Sequence, residues 1–331
     1  MAMSAVPAFP GYVPPRWLPG GQLQTVVPAL LSRRGRPAAA LRRQRCTTPD
    51  GDFIDIDWLS APAAADAPLL VLFHGLEGSS RSHYAQALLA ACAAAGWQCA
   101  VPHFRGCSGE DNLAPRAYHS GDWAEIDWIL QRLAQQRPLA PLFAAGVSLG
   151  GNALLRWAQE LGDDAGRRVR AIAAVSVPLD LAAGGQAISR GLSHPLYTRT
   201  FLRTLKPKAL RMIARHPGLA DAQRVRQARD LHAFDDAFTA PVHGFRDADD
   251  YWSRASSKPH LHRLRLPTLL LNARNDPFQP AAVLPTANDV SACVQLDQPA
   301  QGGHAGFAQG GPPGTLQWMP QRLLHFFRHG D

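Results

Sequence analysis

Leu142-Phe-Ala-Ala-Gly146-Val147-Ser148-Leu149-Gly150-Gly151 is a short apolar run that ends on Gly-x-Ser-x-Gly and passes directly into a helical pattern reaching about Leu161. The chemistry of that turn is specific. A serine hydroxyl is a poor nucleophile until a base takes its proton. It must also stand clear of its own backbone, which a sharp strand-to-helix turn achieves. Glycines two residues before and two after the serine leave room where side chains would clash. The start of the following helix points its dipole and free N–H groups at the same place. Ser148 is therefore the candidate nucleophile.

Working outward, short apolar runs alternate with helical stretches. Leu69–Phe73, Gln98–Pro102, Leu142–Val147, Arg170–Val177, Thr268–Asn272 and Ala292–Leu296 read as buried strands. Helices are expected near Ser80–Ala95, Asp122–Gln136, Leu149–Leu161 and Thr315–Arg328, with Pro320 in the first turn of the last. Residues 52–58 alternate in part, as an antiparallel entry strand does. This order predicts an α/β fold with a mostly parallel central sheet flanked by helices. About 85 residues, 178–262, interrupt the rhythm with an Arg-rich, helical, proline-punctuated stretch, read as an inserted helical cap. The expected division is a basic N-terminal arm over 1–49, a core formed by 50–177 and 263–331, and the cap.

The rest of a hydrolytic site can be sought by position. His74-Gly75-Leu76 closes the strand Leu69–Phe73, where a second oxyanion donor is expected, so the backbone N–H groups of Leu76 and Leu149 are the candidate pair. His74 itself reads as a structural histidine bonding loop backbone. The acid and base should follow the serine in chain order. Asp276 ends the strand beginning at Thr268, and His304 lies between glycines on the loop after the last strand. Both are candidate catalytic residues, and neither a cofactor nor a metal is expected.

Composition narrows the classes. The chain has 331 residues, 46% hydrophobic and 18% charged, too apolar for a disordered protein. Its net charge of +8 is unevenly spread. Residues 1–49 carry seven Arg and no acid, and 199–229 carry nine Lys/Arg against Asp221 alone, leaving a net acidic body. A basic stretch without a nucleic-acid motif and with few aromatics argues against nucleic acid. Docking of the basic stretches on the acidic body is the first reading. The second is peripheral contact with an anionic membrane, since Phe201-Leu202, Leu205, Leu210 and Met212-Ile213 interleave the arginines as an interfacial helix pair would. Five cysteines without a Cys-x-x-Cys spacing argue against a disulfide framework or zinc site. With no membrane span and no secretory signal pattern, a cytoplasmic protein is expected.

His74-Gly-Leu-Glu-Gly-Ser-Ser80, Phe104-Arg-Gly-Cys-Ser-Gly109, Gly146-Val-Ser-Leu-Gly-Gly-Asn152 and Gly303-His-Ala-Gly-Phe307 together resemble the YheT-like branch of the α/β-hydrolases. Leu23-Gln-Thr25, Phe234-Asp-Asp236 and Tyr251-Trp-Ser-Arg-Ala-Ser-Ser257 are supporting marks, so the resemblance runs from about Leu18 to Phe326. It implies an α/β-hydrolase fold, a triad of Ser148, Asp276 and His304, and relatives acting on lipid esters. The sequence departs from the usual pattern twice: Asn275 stands where a first acid is usual, and Ala305 where Val is usual, which would enlarge the local pocket. The expected function is hydrolysis of a small-molecule or lipid carboxylic ester through an acyl-enzyme on Ser148. An alcohol acyltransferase would use the same triad, and a non-catalytic ligand-binding protein would lack part of it.

Overall fold

A computed structural model describes residues 9–31, 38–191 and 193–330. Eight strands form one sheet: β1 Leu41–Thr47, β2 Phe53–Leu59, β3 Leu69–Phe73, β4 Gln98–Pro102, β5 Leu142–Val147, β6 Ile172–Val175, β7 Thr268–Leu271 and β8 Val294–Asp297. Their order is β1-β2-β4-β3-β5-β6-β7-β8. The pairs β1·β2 and β2·β4 are antiparallel, and every later pair is parallel. The expected mostly parallel sheet is therefore observed, with β2 as the antiparallel entry strand.

Residue alternation on β3 distributes the core to both faces. Leu69, Val71 and Phe73 pack with Ile126, Ile129, Leu130 and Leu133 of α3 (Trp123–Gln136) and with α4 (Leu149–Leu161). Leu70 and Leu72 pack with Leu88 and Leu89 of α2 (His83–Ala95) and with Leu323 and Phe327 of α12 (Trp318–His329). The Ile126/Ile129/Leu130/Leu133 spacing puts one apolar stripe of α3 on the sheet. The Asp122 carboxylate caps this helix by accepting the Glu125 N–H.

β1 lies inside the stretch expected to be an arm. Its Arg42, Arg43 and Arg45 disguise a strand, yet charged residues suit a sheet edge. Thr48-Pro-Asp-Gly51 turns the chain back, with Gly51 at φ 76°. Arg43 then pairs with Asp57 at 2.8 Å and Arg45 with Asp55 at 2.8 Å across the hairpin. Upstream, α1 (Gly20–Leu31) packs beside the loops that follow β7 and β8. The arm's Arg33, Arg34 and Arg36 lie outside the described residues.

After α5 (Asp163–Arg168) and β6, the chain enters a helical stretch before β7. It holds α6 Leu181–Ile188, α7 Arg199–Arg215, α8 Ala222–Gln227, α9 Leu231–Phe234, α10 Ala240–His243 and α11 Ala248–Ala255, with π-helical turns at His194–Thr198 and Asp235–Thr239. This stretch has its own core of Leu202, Ala209, Ile213, Val225, Phe234 and Phe238. Its cations meet acids, several of them on the sheet-bearing body: Lys208 with Glu77 at 2.8 Å, Arg211 with Asp111 at 2.6 Å, and Arg224 with Asp236 at 2.5 Å. Of the nine cations in 199–229, Lys208, Arg211 and Arg215 pair with acids of the body. Leu202 and Ile213 are buried in this core, and Phe201, Leu205 and Met212 line a cavity. No helix among the described residues is long and apolar enough to cross a membrane.

Candidate active site

Ser148 occupies the turn between β5 and α4 at φ 54°, ψ −122°, a conformation that costs a non-glycine residue roughly 1–3 kcal/mol. Its own N–H is held by the Val175 carbonyl at 2.9 Å, on the neighbouring strand. Only glycine fits beside it: a Cβ on Gly150 would lie 2.5 Å from the carbonyl oxygens of Phe73 and His74. The strain of the turn is thus imposed by the surrounding strands.

The loop after β3 faces this turn. His74 is fully buried, donates from Nδ1 to the Gly75 carbonyl at 2.8 Å and accepts the Phe104 N–H on Nε2 at 3.1 Å. Burial pushes its pKa down to about 3, so the ring is neutral and structural, as read from the sequence. Two tyrosines that sequence reasoning missed fix the loop around Leu76. The Tyr84 hydroxyl accepts the Gly75 N–H at 2.8 Å, and the Tyr118 hydroxyl accepts the Glu77 N–H at 3.0 Å while donating to the Glu77 carboxylate. Leu76, Ser148 and Leu149 line one cavity together. The Leu149 N–H begins α4, where a helix has no internal acceptor for it.

Asp276 and His304 come together across 28 residues, with His304 Nδ1 2.9 Å from Asp276 Oδ2 and 3.1 Å from Oδ1. The Asp276 side chain has no exposure, and its Oδ1 also accepts the Phe278 N–H at 2.8 Å. Phe278 lies flat on the imidazole, ring centroids 3.9 Å apart and 16° between planes, and itself lines the cavity. That ring restricts rotation of His304, a contact with no local signal beyond the place of Phe278 after Asp276-Pro277. Asn275 explains its own departure from the acidic pattern: it accepts the Gly303 N–H and donates to the Gln24 carboxamide oxygen, the second of which an ionised acid could not do. Ala305 does not enlarge the cavity; it is buried in the core behind, and its N–H goes to the Ser176 hydroxyl.

The cavity offers about 160 Å³ to water-sized groups. Its walls are mainly apolar, with Ile188, Phe201, Leu205, Met212, Phe238 and Trp252 from the helical stretch set opposite Leu76 and Ser148. Three carboxyls also line it, Glu77, Asp111 and Asp235. Asp235 accepts Trp252 Nε1–H at 2.7 Å and the Thr239 hydroxyl at 2.6 Å, and burial lifts its pKa to about 6. Asn152, also unforeseen, ties α4 to the helical stretch by donating to the carbonyls of Ser120 and Ala255. Arg105 and Arg156 serve packing: Arg105 is buried against Glu125, Asp52 and Asp50, and Arg156 pairs with Glu160. Among the described residues no group of three or more His, Cys, Asp or Glu could hold a metal ion.

A sequence model of the alpha/beta hydrolase fold matches residues 68–311, which span β3 to β8, the elbow at Ser148 and the His304 loop. The chain belongs to the α/β-hydrolase family. Within it the chain falls in the YheT-like branch, being 39% identical over 318 residues to YheT of Escherichia coli (strain K12), a protein with a provisional esterase name, across 94% of this chain and 91% of that one. This α/β-hydrolase is also 29% identical to the human protein named phospholipase ABHD3, over 95% and 78% of the two chains. It is 26% identical to the protein of Saccharomyces cerevisiae named monoacylglycerol lipase, over 79% of this chain and 59% of the other. Among solved structures, the Pyrococcus furiosus esterase Pf2001 superposes with a TM-score of 0.55 at 14% identity, covering 88% of this chain and 91% of that one, which speaks to the fold alone.

Proposed function

We propose that the chain is a serine hydrolase of carboxylic esters, lipid esters by class, acting through an acyl-enzyme on Ser148. The observation that carries this is the strained Ser148 turn opening into an apolar cavity whose wall, through Phe278, leads to His304 and its buried partner Asp276. In this reading His304 takes the Ser148 proton on Nε2 as the hydroxyl attacks the acyl carbonyl. Asp276, accepting the Nδ1–H, fixes the tautomer and stabilises the imidazolium that forms. The N–H groups of Leu76 and Leu149 hold the developing oxyanion, aided by the α4 dipole. His304 returns the proton to the leaving alcohol, and water then repeats the sequence to free the acid.

The apolar walls favour an acyl chain, and the names of the phospholipase and lipase relatives support a lipid-derived one. The helical stretch acts as the cap that sets chain length. Exposed Arg199, Arg203, Arg226 and Arg229 are groups that could meet an anionic lipid surface, testable by co-sedimentation with and without phosphatidylglycerol. Five free cysteines support a reducing, cytoplasmic setting.

The test is a chain-length series of p-nitrophenyl esters on wild type and Ser148→Ala, with fluorophosphonate labelling beside it. Ser148→Ala is expected to lose about 10³–10⁶ of the rate and all labelling. Unchanged esterase activity in that variant would overturn the assignment.

A further inference from the structure

Leu23-Gln24-Thr25 sits on α1, some 250 residues before Asp276 in the chain, yet it is wedged between the loops bearing Asp276 and His304. Gln24 is fully buried. Its Oε1 accepts Asn275 Nδ2–H and the Gly302 N–H, each at 2.9 Å. Its Nε2 donates to Gln301 Oε1 at 2.7 Å and the Leu18 carbonyl at 2.8 Å. Thr25 Oγ1 accepts the His304 N–H at 2.9 Å and donates to the Gly21 carbonyl at 2.7 Å.

These bonds complete a pattern along the His304 loop. The successive N–H groups of Gly302, Gly303, His304 and Ala305 end on Gln24, Asn275, Thr25 and Ser176. Every acceptor is a side chain, two come from α1, and a third, Asn275, is itself held by Gln24. A second, independent observation is the absence of Cβ atoms at the contact. A Cβ on Gly303 would lie 2.7 Å from the Gln24 carbonyl carbon, one on Gly306 would collide with the Gln24 carbonyl oxygen, and one on Gly21 would collide with the Asn275 carbonyl oxygen. Both surfaces are shaped for backbone-to-backbone approach.

We infer that Gln24 and Thr25 are positioning residues of the hydrolytic site, setting the placement of His304 through its backbone, and that α1 is part of the catalytic apparatus. This rests on the roles proposed above for Asp276 and His304. Neither Gln24 nor Thr25 lines the cavity, so the inference separates rate from binding. A misplacement near 1 Å costs about 10²-fold in rate.

The experiment uses the full chain and p-nitrophenyl butyrate. Thr25→Val, close in volume but without an acceptor, should lower kcat about 10- to 100-fold with KM within about twofold, and fluorophosphonate labelling should slow in parallel. Thr25→Ser restores the hydroxyl and should recover kcat to within about threefold of wild type. A folded Thr25→Val with wild-type kcat, a loss confined to KM, or a Thr25→Ser as impaired as Thr25→Val would each overturn the inference. If Thr25→Val does not fold, Thr25→Ala against Thr25→Ser decides by the same criteria. Ser148→Ala in the same series keeps the two failures apart: an active Ser148→Ala sinks the functional reading, whereas an inactive one beside a normal Thr25→Val sinks only this one.

Discussion

Replacing Asp276 by Asn tests the site through a single atom. In the wild type the Phe278 N–H donates to Asp276 Oδ1 at 2.8 Å, while Oδ2 faces His304 Nδ1 at 2.9 Å. An asparagine keeps its oxygen on the Phe278 N–H, since the flipped amide would set two donors against each other. Its NH2 group then takes the place of Oδ2 and points at Nδ1. The imidazole must answer by accepting on Nδ1 and carrying its proton on Nε2, the nitrogen that has to receive the Ser148 proton. The geometry survives while the base is in the wrong tautomer. The expected loss is about 10³–10⁴ in kcat/KM, roughly 4–5 kcal/mol of transition-state stabilisation. Hydrolysis of p-nitrophenyl butyrate and the second-order rate of fluorophosphonate labelling should fall together, with the thermal midpoint little changed. Activity within tenfold of wild type, in a series where Ser148→Ala is inactive, would refute the claim that Asp276 orients the base.

Two further predictions concern groups away from the reacting atoms. Arg105→Ala leaves the buried Asp52 without its cation and Glu125 with only Arg116 at 3.8 Å, so unfolding free energy should drop by about 3–5 kcal/mol in urea titration; a drop under about 1 kcal/mol would show that this network does not tie the β1–β2 hairpin to α3. Asp235 has a folded-state pKa raised by burial from the ordinary 3.8 to about 6, so the folded protein holds a proton that the unfolded chain releases, and stability falls as pH rises from about 4 to about 6. Asp235→Asn should flatten that decline by about 3 kcal/mol, read from thermal or urea midpoints across pH 4–7, and parallel curves for the two proteins would contradict it.

Much of this was legible because the signals were local. The elbow at Ser148 is written in six residues, and the strands β3, β4 and β5 are short apolar runs closed by glycine or proline. Asp276 and His304 could be named as candidates because chain order and strand ends constrain where an acid and a base can stand, and the fold brings the two side chains into contact. Other elements were hidden by their partners. β1 reads as a charged coil until β2 supplies its hydrogen bonds and Asp55 and Asp57 take its arginines. The strand expected over Arg170–Val177 shortens to Ile172–Val175 because Ser176 turns left-handed at φ 50° and commits its hydroxyl to Ala305.

The apolar residues of α7 show the same limit most plainly. Their spacing among arginines fits an interfacial helix and a buried one equally well. Only packing assigns Leu202 and Ile213 to a private core and Phe201, Leu205 and Met212 to the cavity wall.

By itself the sequence determined the fold class and the identity and order of the candidate triad, because backbone periodicity and turn chemistry act over a few residues. Tertiary structure alone decided what surrounds them. The tyrosines that brace Leu76, the ring on His304, the cap residues facing Ser148 and the α1 side chains gripping the His304 loop all act across long chain separations. Hydrogen bonds and close packing depend on distance in space, and one chain read in order carries no measure of that distance.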